Sequence, residues 1–265
     1  MSLTPITVDT ADYPAEMRSL MDGAAIYDSS CSPNARVLFI DKDCGYYLKS
    51  APKNTLEREA VMTRYFHIKG LAAQVAEYVS DVERDYLLTE KVPGDDCRET
   101  KYLEHPERLA GLLGERLALL QSLDCTDCPV LNNTERCLAV AESNYRAGTY
   151  DKSLFPDNWG YASAEEAWRV IEERGRLLKN DTLLHGDYCL PNIILNDWQF
   201  SGFIDLGGGG AGDRHVDVFW GVWSLMYNLK TDKHRDRFLD AYGRDKIDED
   251  ILRVVAACEV FDWRD

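Results

Sequence analysis

Over about the first 90 residues, apolar positions come in short runs that fit β-strands. Arg36-Val37-Leu38-Phe39-Ile40-Asp41 and Gly45-Tyr46-Tyr47-Leu48-Lys49 are rich in β-branched and aromatic side chains. The turn-like Asp43-Cys44 between them predicts a hairpin with Lys49 at the end of its second strand. A helix is expected from about Thr55 to Phe66, with Thr55 as its N-cap. Leu56, Glu59, Ala60, Thr63 and Phe66 recur near helical spacing, which turns Glu59 inward and puts Glu57 nearly opposite. Tyr86-Leu87-Leu88-Thr89-Glu90 reads as another buried strand, broken by Lys91-Val92-Pro93-Gly94.

Beyond that break the pattern becomes mainly helical. His105 to Leu123 carries an apolar face through Leu109, Leu112, Leu113, Leu117 and Leu120, the mark of a core helix. Ala164 to Leu178 predicts another, with Ser163 as cap and Glu166 completing a capping box. A third, rich in Trp and Val, spans Asp217 to Leu229. One strand pair interrupts the helices: Ile193-Ile194-Leu195, a turn at Asn196-Asp197, and a returning strand from Phe200 to Ile204. The expected fold class is therefore α+β, with a small β-rich part over 1–92 and a larger helical part over 93–265.

With 265 residues, 45% of them hydrophobic, the chain can bury a sizeable core without disulfides. It carries 8 cysteines, and Cys125-Thr126-Asp127-Cys128 is a CxxC. No second CxxC or nearby His pair completes a zinc site, so ordinary reduced thiols are expected. No basic-then-apolar leader opens the chain and no run approaches the ~20 apolar residues of a membrane span, which predicts a cytoplasmic protein away from membranes. The 46 acidic and 30 basic residues leave a formal charge of −16, which disfavours nucleic acid as a partner. A cleft with this excess of acid would attract a polycationic small molecule.

The segment Leu184-His185-Gly186-Asp187-Tyr188-Cys189-Leu190-Pro191-Asn192, followed by Phe203-Ile204-Asp205-Leu206-Gly207, carries the chemistry. Phosphoryl transfer needs a carboxylate to orient and deprotonate the attacking hydroxyl, and oxygen ligands for Mg²⁺ on the nucleotide phosphates. Asp187 suits the first role; Asn192 and Asp205 suit the second, because Mg²⁺ favours a few hard oxygens beside substrate phosphates. Asp187 and Asn192 stand five positions apart across a turn-forming Cys-Leu-Pro, so one loop can present both. Each alone is ordinary turn chemistry; together, framed by apolar strands, they point to a kinase.

The string His185-Gly186-Asp187, Asn192, Ile204-Asp205-Leu206-Gly207 resembles the catalytic and metal loops of the aminoglycoside phosphotransferases, a branch of the protein-kinase-like superfamily. The likeness covers nearly the whole chain and is greatest to enzymes that phosphorylate a drug 3′-hydroxyl. It implies a protein-kinase-like two-lobe fold, ATP or GTP with Mg²⁺ as cofactors, Asp187 as catalytic base, and Asn192 with Asp205 as metal ligands. It further implies that Lys49 contacts the nucleotide phosphates and pairs with Glu59, and that Thr89 and Lys91 meet the adenine through their backbones. There is no G-x-G-x-x-G; Ser32, in Ser30-Cys31-Ser32-Pro33-Asn34-Ala35, stands where a shorter phosphate-covering loop belongs. Asp213 and Asp217 stand out before the Trp-rich helix, and the resemblance makes Asp217 an anchor of the catalytic loop.

On the acceptor side, the resemblance assigns Asp157, Glu259, Phe261 and Asp262 to substrate. Here the chain departs from the family pattern. Gly208-Gly209-Gly210 replaces an arginine after Gly207, Trp223 stands where arginine is common, and Gly160 replaces an acid. Cys258-Glu259-Val260-Phe261 stands for the usual Asp-Glu-hydrophobic-Phe, with Asp262-Trp263-Arg264-Asp265 beyond it. The expected acceptor is an aminoglycoside at its 3′-hydroxyl. The alternatives are another hydroxyl acceptor, such as a macrolide, amino alcohol or sugar, or a kinase-like protein that binds nucleotide without transfer.

Overall fold

The computed structural model describes residues 3–31, 33–150 and 160–261 of the chain. The described residues form two units: residues 3–96 with Ile193–Gly207, and Cys97–Asn192 with residues 208–261.

In the first unit, strands β1 (Thr4–Ile6), β2 (Ala25–Asp28), β3 (Arg36–Asp41), β4 (Tyr46–Pro52), β5 (Val75–Ser80) and β6 (Arg84–Glu90) form a six-stranded sheet in the order β1-β2-β3-β4-β6-β5. Every neighbouring pair is antiparallel. Side chains alternate across the sheet with the two-residue strand period. Leu38, Ile40, Leu48 and Leu88 pack on one face with Met17 and Met21 of helix α1 (Ala15–Met21). Leu87 and Ala51 pack on the other with Leu56 and Ala60, where helix α2 (Glu57–Ile68) lies. Lys49 falls in the middle of β4, opposite Val37 and Leu87, because the strand continues to Pro52 beyond the predicted end.

The N-terminus of α2 differs from expectation in its cap. Thr55 turns back and its hydroxyl donates to Pro52 O at 2.6 Å. Asp85, fully buried on β6, instead accepts the Leu56 N–H at 3.0 Å, and its other oxygen accepts from Ser80 Oγ at 2.7 Å. An orphan N–H at a helix start needs an acceptor, and this one comes from a strand 29 residues away.

A short strand β7 (Asp95–Asp96) joins the hairpin of β9 (Ile193–Asn196) and β10 (Gln199–Phe203) in a second, three-stranded sheet. The hairpin turns at Asp197 and Trp198, one residue later than predicted, both at positive φ as a two-residue primed turn requires.

The second unit is mainly helical: α3 (Thr100–Leu103), α4 (Pro106–Leu120), α5 (Asn133–Ala147), α6 (Ala164–Arg174), α7 (His215–Leu229), α8 (Arg235–Tyr242) and α9 (Glu249–Glu259). Strands β8 (Thr182–Leu184) and β11 (Gly210–Gly212) pair antiparallel within it. The expected face of α4 is buried, with Leu109, Leu113, Leu117 and Leu120 at most 1% exposed. Gly114 lets α8 approach, since a Cβ there would lie 2.3 Å from Phe238 O. Ser163 caps α6 by accepting the Glu166 N–H, while Glu166 reaches back to the Ala162 N–H. Helix α6 gives way at Gly175 to a 3₁₀ turn rather than running to Leu178, consistent with glycine's low helix propensity. A core of Ala141, Tyr161, Ala167, Ile171, Ala257 and Phe261 joins α5, α6 and α9.

Candidate active site

In the first unit, the Lys49 ammonium lies 2.8 Å from Glu59 Oε2 and 2.9 Å from Asp205 Oδ1. Glu59 is buried on the inner face of α2, whereas Glu57 points to solvent. Asp205 follows β10 and is held through Phe203. The Phe203 N–H donates to Leu71 O at 2.7 Å, and its buried ring packs on Phe66 and Phe200. Asp205 itself has φ +59°, a left-handed conformation that Asp tolerates better than most residues. Burial alone would push the Lys49 amine down; the charges of Glu59 and Asp205, with their hydrogen bonds, reverse this and hold it above the usual lysine range. The site thus contains a permanently charged ammonium in a fixed place.

In the second unit, the loop after β8 is clamped at several points. The His185 and Gly186 N–H groups donate to Asp217 Oδ2 and Oδ1, each at 2.8 Å. Asp217 is fully buried on α7. Burial pushes its carboxyl up to about 7, against the pull of those two N–H groups, and the nearby charge of Asp187 adds to the rise. Gly186 adopts φ +83°, and a Cβ there would lie 2.0 Å from Gly208 O, so only glycine fits. The Asp187 N–H donates to His185 Nδ1 at 3.2 Å, and Asn192 Nδ2 donates to Asp187 Oδ2 at 2.8 Å and Asp187 O at 3.0 Å. The Asn192 N–H closes a tight turn on Cys189 O at 3.0 Å. The loop therefore presents a partly exposed carboxylate, while Asn192 is left with an acceptor oxygen.

A cleft of the second unit is lined by Asn133, Arg136, Cys137, Gly186, Gly208 and Glu259, among others. Glu259, at the end of α9, is 5% exposed. Phe261 lies elsewhere than a ligand surface: its ring is fully buried, edge-on to Tyr145, Tyr150 and Trp168, and Asn144 Nδ2 donates to its carbonyl at 2.7 Å. Its ring is part of the core and offers no exposed surface. The glycines that replace the expected arginine have a local reason, because a Cβ on Gly208 would lie 2.8 Å from Gly186 O. Cys189, in the catalytic loop, is buried; that burial and the charge of Asp187 push its thiol well above the ordinary range.

Asp213 is buried and accepts from the Lys179 N–H at 2.9 Å, the His215 N–H at 3.0 Å and His215 Nδ1 at 2.7 Å. Burial raises its carboxyl, but these bonds outweigh it and hold the group below the ordinary range. His215 Nε2 in turn accepts the Asp248 N–H at 2.9 Å, which ties the start of α7 to the start of α9. Thr89 lies within β6, paired with Tyr47 on one side and Val75 on the other. The Lys91 N–H is committed to Gly45 O at 2.9 Å, so of its backbone groups only the carbonyl remains to face an adenine. Ser32, Asp157 and Asp262 fall outside the described residues.

Three positioning side chains escaped the sequence reading. Asp85 holds the start of α2. Asn133 donates to Gly208 O at 2.8 Å, and Ser224 accepts the Leu190 N–H at 2.9 Å. Each acts across a large sequence separation, and none belongs to a motif.

A model of the phosphotransferase enzyme family matches residues 30–255. A probable aminoglycoside 3′-phosphotransferase of Lactococcus lactis is 49% identical over 261 residues, 98% of this chain and 99% of that protein. An aminoglycoside 3′-phosphotransferase of Niallia circulans is 30% identical over 177 residues, 67% of each chain. Among solved structures, an aminoglycoside-3′-phosphotransferase of type VIII superposes with a TM-score of 0.75 at 21% identity, covering 94% of this chain and all of that one. The aminoglycoside phosphotransferase APH(3″)-Id of Streptomyces rimosus, in complex with ADP and streptomycin, gives 0.73 at 20% identity, covering 86% and 91%.

Proposed function

Because the chain belongs to the phosphotransferase enzyme family, we propose that it transfers the γ-phosphoryl group of ATP or GTP to the 3′-hydroxyl of an aminoglycoside. The observation that carries this reading is the 49% identity to a probable aminoglycoside 3′-phosphotransferase along essentially the full length of both chains. The geometry around Lys49 and around Asp187 is consistent with it.

Lys49, kept charged by Glu59 and Asp205, is the cation for the nucleotide phosphates. Asp187 receives the proton of the acceptor hydroxyl as its oxygen forms the new bond to phosphorus and the bond to the leaving diphosphate breaks. Asn192 orients that carboxylate through its amide hydrogens. Asp205 in the first unit and the remaining amide oxygen of Asn192 in the second each offer a hard oxygen of the kind that would suit Mg²⁺. When bound, the ion neutralises charge on the phosphates. Glu259 and the cleft it lines suit an ammonium group of the acceptor, and the chain's charge of −16 favours the encounter with a polycation. Among the described residues no helix is long and apolar enough to cross a membrane, and a cytoplasmic setting fits an enzyme that consumes nucleoside triphosphate.

The test is steady-state phosphate transfer from ATP and GTP across kanamycin-type drugs, their 3′-deoxy analogues, macrolides and amino alcohols, with Asp187→Ala as control. Turnover of the drugs but not of their 3′-deoxy forms is the expected result. Equal rates in parent and Asp187→Ala would overturn the catalytic reading, and turnover of macrolides alone would replace the acceptor.

A further inference from the structure

The loop that carries Asp187 and Asn192 has two tethers on α7. The first is Asp217, which takes the N–H groups of His185 and Gly186 before the carboxylate. The second comes seven residues, about two helical turns, later on the same face. Ser224 is 1% exposed, and its Oγ accepts the Leu190 N–H at 2.9 Å. Leu190 opens the 3₁₀ turn that ends at Asn192. Within this loop the Cys189 N–H is taken by Asp187 O at 2.7 Å and the Asn192 N–H by Cys189 O at 3.0 Å. The Leu190 N–H finds its acceptor only on α7.

Ser224 is itself fixed. Asn228 Nδ2 donates to Ser224 O at 2.8 Å and approaches its Oγ at 3.4 Å. A serine in an apolar helix (Val222, Trp223, Leu225 and Met226 are its neighbours) thus holds the start of the turn that ends at Asn192.

We infer that Ser224 is a positioning residue for phosphoryl transfer: its hydroxyl sets the turn from Leu190 to Asn192 and thereby the placement of Asn192 and of the Asp187 carboxylate that Asn192 orients. The inference rests on the transfer function proposed above. Asp217 fixes where the loop begins, and Ser224 fixes where it returns. Misplacement of catalytic groups by a fraction of an ångström to an ångström costs rate while leaving distant binding contacts in place.

Ser224→Ala, Ser224→Thr and the buried control Leu225→Ala separate this role from a merely structural one. Ser224→Ala is expected to lower kcat between about tenfold and 10²-fold with nucleotide KM within about twofold, and to raise the Mg²⁺ concentration that gives half the maximal rate. Ser224→Thr, which keeps the hydroxyl, restores most of kcat. Leu225→Ala lowers the unfolding midpoint but leaves kcat and the Mg²⁺ requirement at parental values. Parental kcat and Mg²⁺ dependence in Ser224→Ala would overturn the inference, as would a Ser224→Thr variant that folds yet is no better than Ser224→Ala. Amide hydrogen exchange of the segment 188–192 is read in parallel and does not depend on turnover. Faster exchange there in Ser224→Ala is the expected result, and unchanged exchange overturns the tether even if the parent transfers no phosphate to any acceptor. That last outcome would instead count against the transfer function.

Discussion

The side-chain amide of Asn192 donates to Asp187 twice, at 2.8 Å to Oδ2 and 3.0 Å to the main-chain oxygen. One residue therefore orients the proposed base while turning its own oxygen to another use. Asp187→Ala is expected to lower kcat about 10²- to 10⁴-fold. Asn192→Ala is expected to lower it less and to raise the Mg²⁺ requirement. Because their side chains share a hydrogen bond, the double variant should lose less than the product of the single losses. Strict multiplicativity in steady-state kinetics would show that the residues act independently.

Lys49 sits between two carboxylates. Lys49→Ala removes the cation and leaves Glu59 buried beside Asp205 without its partner, so kcat/KM for the nucleotide should fall about 10²- to 10³-fold. Glu59→Gln keeps shape and one hydrogen bond and should fall by less. A fluorescent nucleotide titration checks both. Unaltered nucleotide binding in Lys49→Ala would remove Lys49 from the phosphate site.

Asp217 gives a pH-dependent prediction. Its folded value of about 7 lies above the ordinary 3.8, so between about pH 4 and 7 the folded protein holds a proton that the unfolded chain has released. Stability from this group therefore falls as pH rises through that window and is flat above it. Asp217→Asn does not titrate and meets one of the two loop N–H groups with a donor, which costs about 1–3 kcal/mol. The stability gap between parent and variant should narrow as pH rises from 4 to 7, by no more than about 1.4 kcal/mol per pH unit. Denaturant titrations at pH 4.5, 6 and 8 measure it; a gap that widens with pH would contradict the assignment.

Cysteine alkylation should follow exposure and thiol acidity. Cys31 and Cys44 are exposed and should label first with iodoacetamide in the folded protein. Cys189 should remain unlabelled until unfolding despite its place in the loop, since burial and Asp187 disfavour its thiolate. Peptide mass mapping over time reads the order, and early labelling of Cys189 would mean that the loop opens readily.

Gly208→Arg restores the residue type expected from the resemblance and should be destabilising. Its Cβ would stand 2.8 Å from Gly186 O, so the backbone that Gly186 packs against must move. Overpacking of this kind costs about 1–3 kcal/mol. A denaturation midpoint equal to the parent would show that the loop yields freely.

Local pattern was enough for several of the elements and for the motif. The hairpin of β3 and β4, the inward face of α2, the capping box at Ser163 and the strand pair before Asp205 all appear in the chain because each depends on residues a few positions apart. The choice of Glu59 over Glu57 follows from the helical period alone, and the ion pair to Lys49 agrees with it. The formal charge of −16 weighs against a nucleic-acid partner, and the spacing of Asp187, Asn192 and Asp205 is what suggested the chemistry.

What tertiary structure decided was which long-range partners complete each element. The cap of α2 passed from Thr55 to Asp85, because a buried N–H takes the acceptor that packing brings to it rather than the nearest one in sequence. Phe261 became core rather than ligand surface once α5 and α6 closed around it. Gly208 proved to be a close approach to Gly186, and Ser224 a tether for Leu190. Sequence periodicity records which way a side chain faces along its own element. Which backbone group it meets there depends on the packing of elements distant in sequence, and a single chain carries no local mark of that.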